Sequence, residues 1–317
     1  MPERQANVHT PPGLRRVLRE FGVSPRRSRG QNFLVDVGIL ARILAAAAIA
    51  PGDPVVEVGA GAGILTERLL QCGARVWAVE VDRRLCQLLE ERRREWPQAQ
   101  NLHLLCADAR KIDWMALAEA IRVELGKSAR ERWLKVVANI PYSITTPLLL
   151  TFLELDRLLE RVVLLVQREV AERLRAGAGS REYGAITVAV RSRFAVQIVG
   201  YVPATAFWPV PAVESAIIRL VPLPEPLVPE ALTPVFTRVV RAAFGQRRKT
   251  LANALKAAAG WDERAEGVKK ALEAAGIDGR RRGETLTVEE FVALARELRD
   301  RLGGSGVEVD KDLRKDL

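Results

Sequence analysis

Aromatic residues make up only 5% of this 317-residue chain, which also holds just two histidines, two methionines and three cysteines. Cys72, Cys86 and Cys106 fall at irregular spacing without a Cys-x-x-Cys pair, and His9 and His103 are equally scattered. Neither a zinc site nor a disulfide framework can be built from them, and no metal is expected. Long apolar runs are missing as well. The run from Ile43 to Gly52 is uncharged but far too short to span a bilayer, and the N-terminus lacks the apolar core of a signal peptide. These absences predict a cytoplasmic protein with reduced thiols and no membrane contact. A composition of 48% apolar and 28% charged residues excludes collagen, low-complexity disorder and a disulfide-dense scaffold.

What the chain has in excess is positive charge, a formal +10 from 49 Lys and Arg against 39 Asp and Glu. Residues 1–30 carry Arg4, Arg15, Arg16, Arg19, Arg26, Arg27 and Arg29 against Glu3 and Glu20, a net of +5. The stretch Arg238 to Lys256 carries Arg238, Arg241, Arg247, Arg248, Lys249 and Lys256 with no acid, a net of +6. The rest of the chain is therefore close to neutral. Two basic segments on a neutral body are the pattern of a phosphate-binding face and point to a polyanionic partner.

Periodicity predicts a helix over Val37–Ala50, stopped by Pro51-Gly52-Asp53-Pro54. Apolar runs at Val55–Val58, Val76–Val81, Leu102–Leu105, Leu134–Ala138 and Val162–Val166 alternate with helical patterns at Ile64–Leu70, Arg83–Glu95 and Trp114–Gly126. That alternation argues for an α/β fold with a parallel sheet and helices on both faces. β-rich stretches at Ala195–Val202 and Ser215–Val221 suggest an antiparallel finish. Pro222, Pro224, Pro226 and Pro229 mark a linker, and helical patterns from Pro229 to Leu302 predict a small all-α domain. The expected divisions are a basic arm at 1–29, a main domain at 30–222, a helical domain at 223–302 and a frayed tail at 303–317.

The sharpest local signal is Val55 to Thr66, a buried strand running into Gly59-Ala60-Gly61-Ala62-Gly63 and then a helix. A dinucleotide fingerprint wants a third glycine where Ile64 stands, and a P-loop would end in Gly-Lys-Ser/Thr, so a phosphate cradle is disfavoured. The related turn that binds S-adenosylmethionine, a cation without phosphate, remains. Carboxylates are its expected partners, and they follow three consecutive strands. Glu80, 21 residues after Gly59, is placed to accept ribose hydroxyls, Asp108 to accept from the adenine amine, and Glu57 to orient the loop or the methionine amine. At the fourth strand's end stands Asn139-Ile140-Pro141-Tyr142. There the Asn139 Oδ1 and the Ile140 carbonyl can accept both N–H bonds of an exocyclic amine while Tyr142 stacks on the base.

Read together, Gly30 to Asp36, Glu57 to Thr66, Val79 to Asp82, Asp108-Ala109, Asn139 to Tyr142 and Phe207 to Ala216 resemble the ribosomal RNA adenine N6-dimethyltransferases. The resemblance implies a Rossmann-like class I methyltransferase sheet with a C-terminal helical domain, S-adenosyl-L-methionine as cofactor, and ribosomal RNA as substrate. It also implies that the Gln31 to Leu34 segment folds over the cofactor. Asn32 and Leu34 then join Gly59, Gly61, Glu80, Asp108 and Asn139 as binding residues. Phe207 is expected to sandwich a flipped adenine against Tyr142. Val210 stands where the family often has consecutive prolines. Two branches compete. The Ala243 to Leu251 and Arg282 to Thr287 segments look like the housekeeping branch, which dimethylates two adjacent adenosines in the 3′-terminal hairpin of small-subunit ribosomal RNA. The other branch methylates large-subunit RNA and confers macrolide resistance. Arg26, Arg27, Arg247, Arg248 and Lys249 are the expected RNA contacts, and a monomer acting on a pre-ribosomal particle is the expected form. A non-catalytic assembly factor with the same fold, or a small-molecule methyltransferase, are the competing functions.

Overall fold

The structure is a computed structural model, and it describes residues 8–25, 31–128, 131–141, 144–257 and 265–302. Contact clustering divides the chain into two compact units, residues 1–171 with 196–222 and residues 172–195 with 223–317.

The first unit is built on a twisted sheet. Its strands are β2 (Pro54–Val58), β3 (Arg75–Glu80), β4 (Leu102–Cys106), β5 (Leu134–Asn139), β6 (Leu159–Gln167), β7 (Phe194–Val202) and β9 (Ser215–Pro222). They lie in the order β4-β3-β2-β5-β6-β9-β7. The pairs β3–β4, β2–β3, β2–β5 and β5–β6 are parallel and β6–β9 is antiparallel, as the alternation of patterns predicts. Strand β2 is buried along its whole length, the mark of a strand covered on both faces. Helices α2 (Val37–Ala47), α3 (Ile64–Gln71), α4 (Arg83–Arg93), α5 (Trp114–Glu124) and α6 (Thr145–Glu154) connect and flank the strands. A separate antiparallel pair joins β1 (Phe33–Leu34) to β8 (Phe207–Trp208), with Leu34 opposite Phe207.

The expected N-terminal arm is a folded element over its described part. Helix α1 (Pro11–Glu20) starts with Pro11 in the first turn and with Thr10 accepting from the Gly13 amide at 3.3 Å. Leu14, Val17 and Leu18 are buried in the main core together with Val8 and Val23. Each fully buried Leu contributes about 1.5–3 kcal/mol, so the helix is held by packing while its arginines stay on the outer face.

A second expectation is corrected at the cysteines. Cys86 on α4 and Cys106 at the end of β4 are joined as a disulfide, S–S 2.25 Å, while Cys72 is a free thiol. Spacing along the chain gives no hint of the pairing, because it arises from the crossover. Helix α4 leaves β3, and β4 pairs beside β3, which brings the two Cα atoms to 6.0 Å.

Helix α7 (Arg168–Arg175) runs from the first unit into the second, where α9 (Thr233–Gly245), α10 (Leu251–Lys256), α11 (Ala265–Ala274) and α12 (Val288–Leu302) share one apolar core with α8 (Ala185–Arg191) and Tyr183. The clustering parts the chain after Pro222, and it also groups residues 172–195 with the helices. The reason is burial. Tyr183 and Val188 are buried among Val239, Val240 and Phe291, and the Tyr183 and Phe244 rings lie 5.9 Å apart. The expected tail, 303–317, is outside the described residues.

Candidate active site

Strands β2, β3, β4 and β5 are parallel and end at one edge of the sheet, where open α/β folds bind ligands. Beyond β2 the turn runs through Gly59, Gly61 and Gly63, all at positive φ (78°, 58° and 78°). The Gly59 and Ala60 amides donate to the Val79 carbonyl at 2.8 and 3.2 Å, which fastens the turn to β3. Gly61 is at φ +58°, and a Cβ there would lie 3.2 Å from the Phe33 ring, so glycine lets the segment carrying Phe33 close on this turn without strain. Behind the turn, Arg92 donates to the Ala62 carbonyl, pairs with Glu67 at 2.7 Å and lies 5.1 Å from the Trp96 ring centroid. His9 stands 3.6 Å from the same Glu67. His9 first, then Arg92, hold the Glu67 carboxyl below its ordinary range.

The three strand-end acids sit in unlike surroundings. Glu80 is buried, yet its Oε2 accepts from the Gly61 amide and its Oε1 from the Val81 and Asp82 amides, each at 2.8 Å. Burial raises its pKa and those three donors pull it back. Glu57 is 1% exposed and its Oε2 has no hydrogen-bond partner among the described residues. Burial above all, with the charge of Glu80 added, pushes it up to about 8, against the relief offered by Thr66. Asp108 is bidentate with Arg110, at 3.0 Å to Nε and 2.6 Å to Nη2, and that guanidinium holds its carboxyl below the usual range.

These groups meet around one cavity of about 410 Å³, lined by Asn32, Leu34, Glu57, Gly59, Gly61, Glu80, Asp108 and Asn139 among others. All seven expected cofactor residues are therefore brought together. Among the described lining residues the one cation is Arg110, and it is spent on Asp108. An acid-lined cavity with an unpartnered buried carboxyl oxygen suits a cationic nucleoside and would repel a phosphate. Asn139 ends β5, and its Nδ2 donates to the Asn32 carbonyl at 3.1 Å, which leaves Oδ1 as the group's acceptor. Pro141 lines the cavity and Ile140 is buried beside it.

Other expected residues fall elsewhere. Tyr142, Arg26 and Arg27 lie outside the described residues. Phe207 is 3% exposed, packed in the main core and not among the residues lining the cavity, the ordinary fate of a Phe in a short strand pair. Arg247 is exposed but donates to Glu284 at 3.0 Å and to the Arg181 carbonyl at 3.2 Å, so it fastens its own helical unit. Arg248 and Lys249 are exposed. Sequence reasoning missed Arg110 and Arg92. Arg110 was signalled only by standing two residues after Asp108, and Arg92 by nothing local, since its target is a backbone carbonyl 30 residues away.

Residues 22–299 match the family model described as "Ribosomal RNA adenine dimethylase". A "Ribosomal RNA small subunit methyltransferase A" from Moorella thermoacetica is 43% identical over 293 residues, 92% of this chain and 99% of the relative. One of the same description from Pelotomaculum thermopropionicum is 43% identical over 290 residues, 91% of this chain and 96% of the relative. Among solved structures, a dimethyladenosine transferase from Plasmodium falciparum superposes with a TM-score of 0.69 at 26% identity, over 85% of this chain and 98% of that one. The 23S rRNA methyltransferase ErmE gives 0.61 at 28% identity, over 84% and 99%.

Proposed function

The chain belongs to the ribosomal RNA adenine dimethylase family, an S-adenosylmethionine-dependent methyltransferase acting on ribosomal RNA, and from that premise we propose its substrate and the roles of its residues. The substrate is the pair of adjacent adenosines in the 3′-terminal hairpin of small-subunit ribosomal RNA, met in a pre-ribosomal particle in the cytoplasm, and the protein works as a monomer. The small-subunit description shared by relatives at 43% identity over nine-tenths of the chain supports this branch over the large-subunit one. Among the described residues no helix is long and apolar enough to cross a membrane, which agrees with a soluble substrate.

The observation that carries the chemistry is the orientation of Asn139. Because its Nδ2 is committed to the Asn32 carbonyl, Oδ1 is the atom offered at the sheet's edge. Oδ1 and the Ile140 carbonyl accept the two N–H bonds of the everted adenine amine, which turns the nitrogen lone pair toward the cavity. S-adenosylmethionine supplies an activated methyl group on a sulfonium. Glu80 would hold the ribose hydroxyls on the lone pairs its three amide donors leave over, and Asp108, paired with Arg110, would accept from the adenine amine of the cofactor. Alignment of this kind is worth several powers of ten in rate without any strong base, because the amine proton turns acidic as nitrogen gains the methyl that the sulfonium gives up, and it can then pass to water. Tyr142, following Pro141, stacks on the target base. The second unit supplies the RNA grip through Arg248 and Lys249, and the N-terminal segment through Arg26 and Arg27.

Mapping methylated adenosines in ribosomal RNA from cells with and without the gene tests the substrate. Loss of both methylated adenosines of the hairpin is expected, and their persistence refutes the assignment. Asn139→Ala tests the chemistry, with turnover falling by about 100-fold or more while cofactor affinity changes little. Full turnover in that variant refutes the role of Asn139.

A further inference from the structure

Glu57 is the group in the cavity that the mechanism above leaves without work. It stands next to last in β2, one residue before the strand ends and two before Gly59, with apolar register partners on either side, Ala78 of β3 and Val137 of β5. Its Oε2 has no partner among the described residues. From β3 the charged group whose field reaches it is Glu80, of the same sign, and from α3 it meets the uncharged Thr66. The remaining charged lining residues, Asp108 and Arg110, neutralise each other. From the segment before α2, Gln31, Asn32, Phe33 and Leu34 bring no charge. Two buried carboxyls therefore border one cavity, and the one cation among its described lining residues, Arg110, is paired with Asp108.

From this placement we propose that Glu57 is protonated in the ligand-free protein and gives up its proton to solvent when the cationic cofactor binds, so that cofactor binding and proton release are one linked event. The inference rests on S-adenosylmethionine binding at this site. Two like charges in one desolvated place cannot both be ionised cheaply, and Glu80 is the one already served by three amide donors. Glu57 is then the carboxyl that holds the proton. Arrival of a positive charge within about 4–6 Å of a carboxyl favours its ionised form by roughly 10- to 1000-fold. Burial pushes Glu57 up to about 8, which places the transition in reach of neutral solutions. Glu57 is thus a positioning residue whose charge appears with its ligand. It gives the cofactor site an affinity that rises with pH through the neutral range.

The test is calorimetric titration of S-adenosylmethionine into the full-length protein near neutral pH, in buffers of different ionisation enthalpy. Release of about half a proton or more per bound cofactor is expected, with affinity roughly tenfold higher near pH 7.5 than near pH 6. Glu57→Gln is expected to bind with no buffer-dependent heat and to lose that pH dependence. Infrared difference spectra of the wild type cover the case in which the variant fails to fold, since cofactor binding should bleach a protonated-carboxyl C=O band. Binding without proton release, an unchanged carboxyl band, or equal release from Glu57→Gln overturns the inference alone. No binding of S-adenosylmethionine at any pH overturns both the inference and the function it rests on.

Discussion

Gly63 is the residue at which the turn below the cavity becomes helix α3, and replacing it by Ala combines two penalties that can be separated. The first is conformational. At φ +78° an L-residue is left-handed, which costs about 1–2 kcal/mol. The second is steric. A Cβ there would lie 2.7 Å from Leu89 Cδ2 and 2.9 Å from the Trp96 ring, both side chains being buried, and overpacking of this kind costs about 1–3 kcal/mol. Gly63→Ala should therefore destabilise the first unit by about 2–5 kcal/mol. Gly126→Ala is the control for the first penalty. Its φ is +60°, and nothing lies within 4 Å of a Cβ, so only about 1–2 kcal/mol should be lost. Urea unfolding followed by tryptophan fluorescence is a suitable assay, because Trp77, Trp96, Trp114, Trp133 and Trp208 all belong to the first unit. The cofactor affinity of Gly63→Ala should fall as well, since Arg92, which holds the Ala62 carbonyl, lies 3.2 Å from the new atom. If the two variants unfold within about 0.5 kcal/mol of each other, the packing argument at Gly63 is refuted.

Glu80→Ala leaves the Gly61, Val81 and Asp82 amides without their acceptor. Cofactor affinity measured by calorimetry should drop by about 10- to 100-fold, and an unchanged value refutes the placement of Glu80. The pKa of Glu57 is raised in the fold, so the folded state binds the extra proton between about 4.5 and about 8, and ligand-free stability must fall as pH rises across that window. Urea midpoints of the wild type relative to Glu57→Gln should therefore decline from about pH 5 to about pH 8, and a flat difference contradicts the burial of that carboxyl. Arg248→Ala with Lys249→Ala should weaken RNA binding and reduce the slope of log affinity against log salt by roughly 1–2. Arg247→Ala should in addition lower the stability of the helical unit by breaking its pair with Glu284, which a melting curve would register.

The edge of the cavity was legible in the sequence because its lining is carried by residues at strand ends, and a strand end is a local event. Val55 to Val58 followed by glycines, and Glu80, Asp108 and Asn139 closing three further apolar runs, mark the parallel strands and the residues that line the cavity at their ends. What was illegible depends on partners far along the chain. The segment Ala185 to Arg191 is rich in β-branched residues, which favour strands. It folds as a helix because Thr187 accepts from the Gly184 amide at 3.2 Å and donates to the Arg173 carbonyl at 2.8 Å, while Ile186, Val188 and Val190 are buried. Helix α6 was hidden by Pro147, which sits in its first turn, where no amide is needed. The Cys86–Cys106 link and the burial of Phe207 follow from which strands lie side by side. The protonation of Glu57 follows from a desolvation that no spacing encodes.

The path of the chain between its two units carries a lesson for anyone who would cut or graft it. The polypeptide passes from one unit to the other after residue 171, returns at 196 and leaves again after 222. Neither half is a continuous stretch of gene. A single splice at the proline-rich boundary would strand Tyr183 and Val188 on one fragment and the residues that bury them on the other. Recombination between relatives therefore preserves both cores only when the exchanged piece includes 172–195, and exchange of the helical unit by simple tail swapping is barred by the wiring itself.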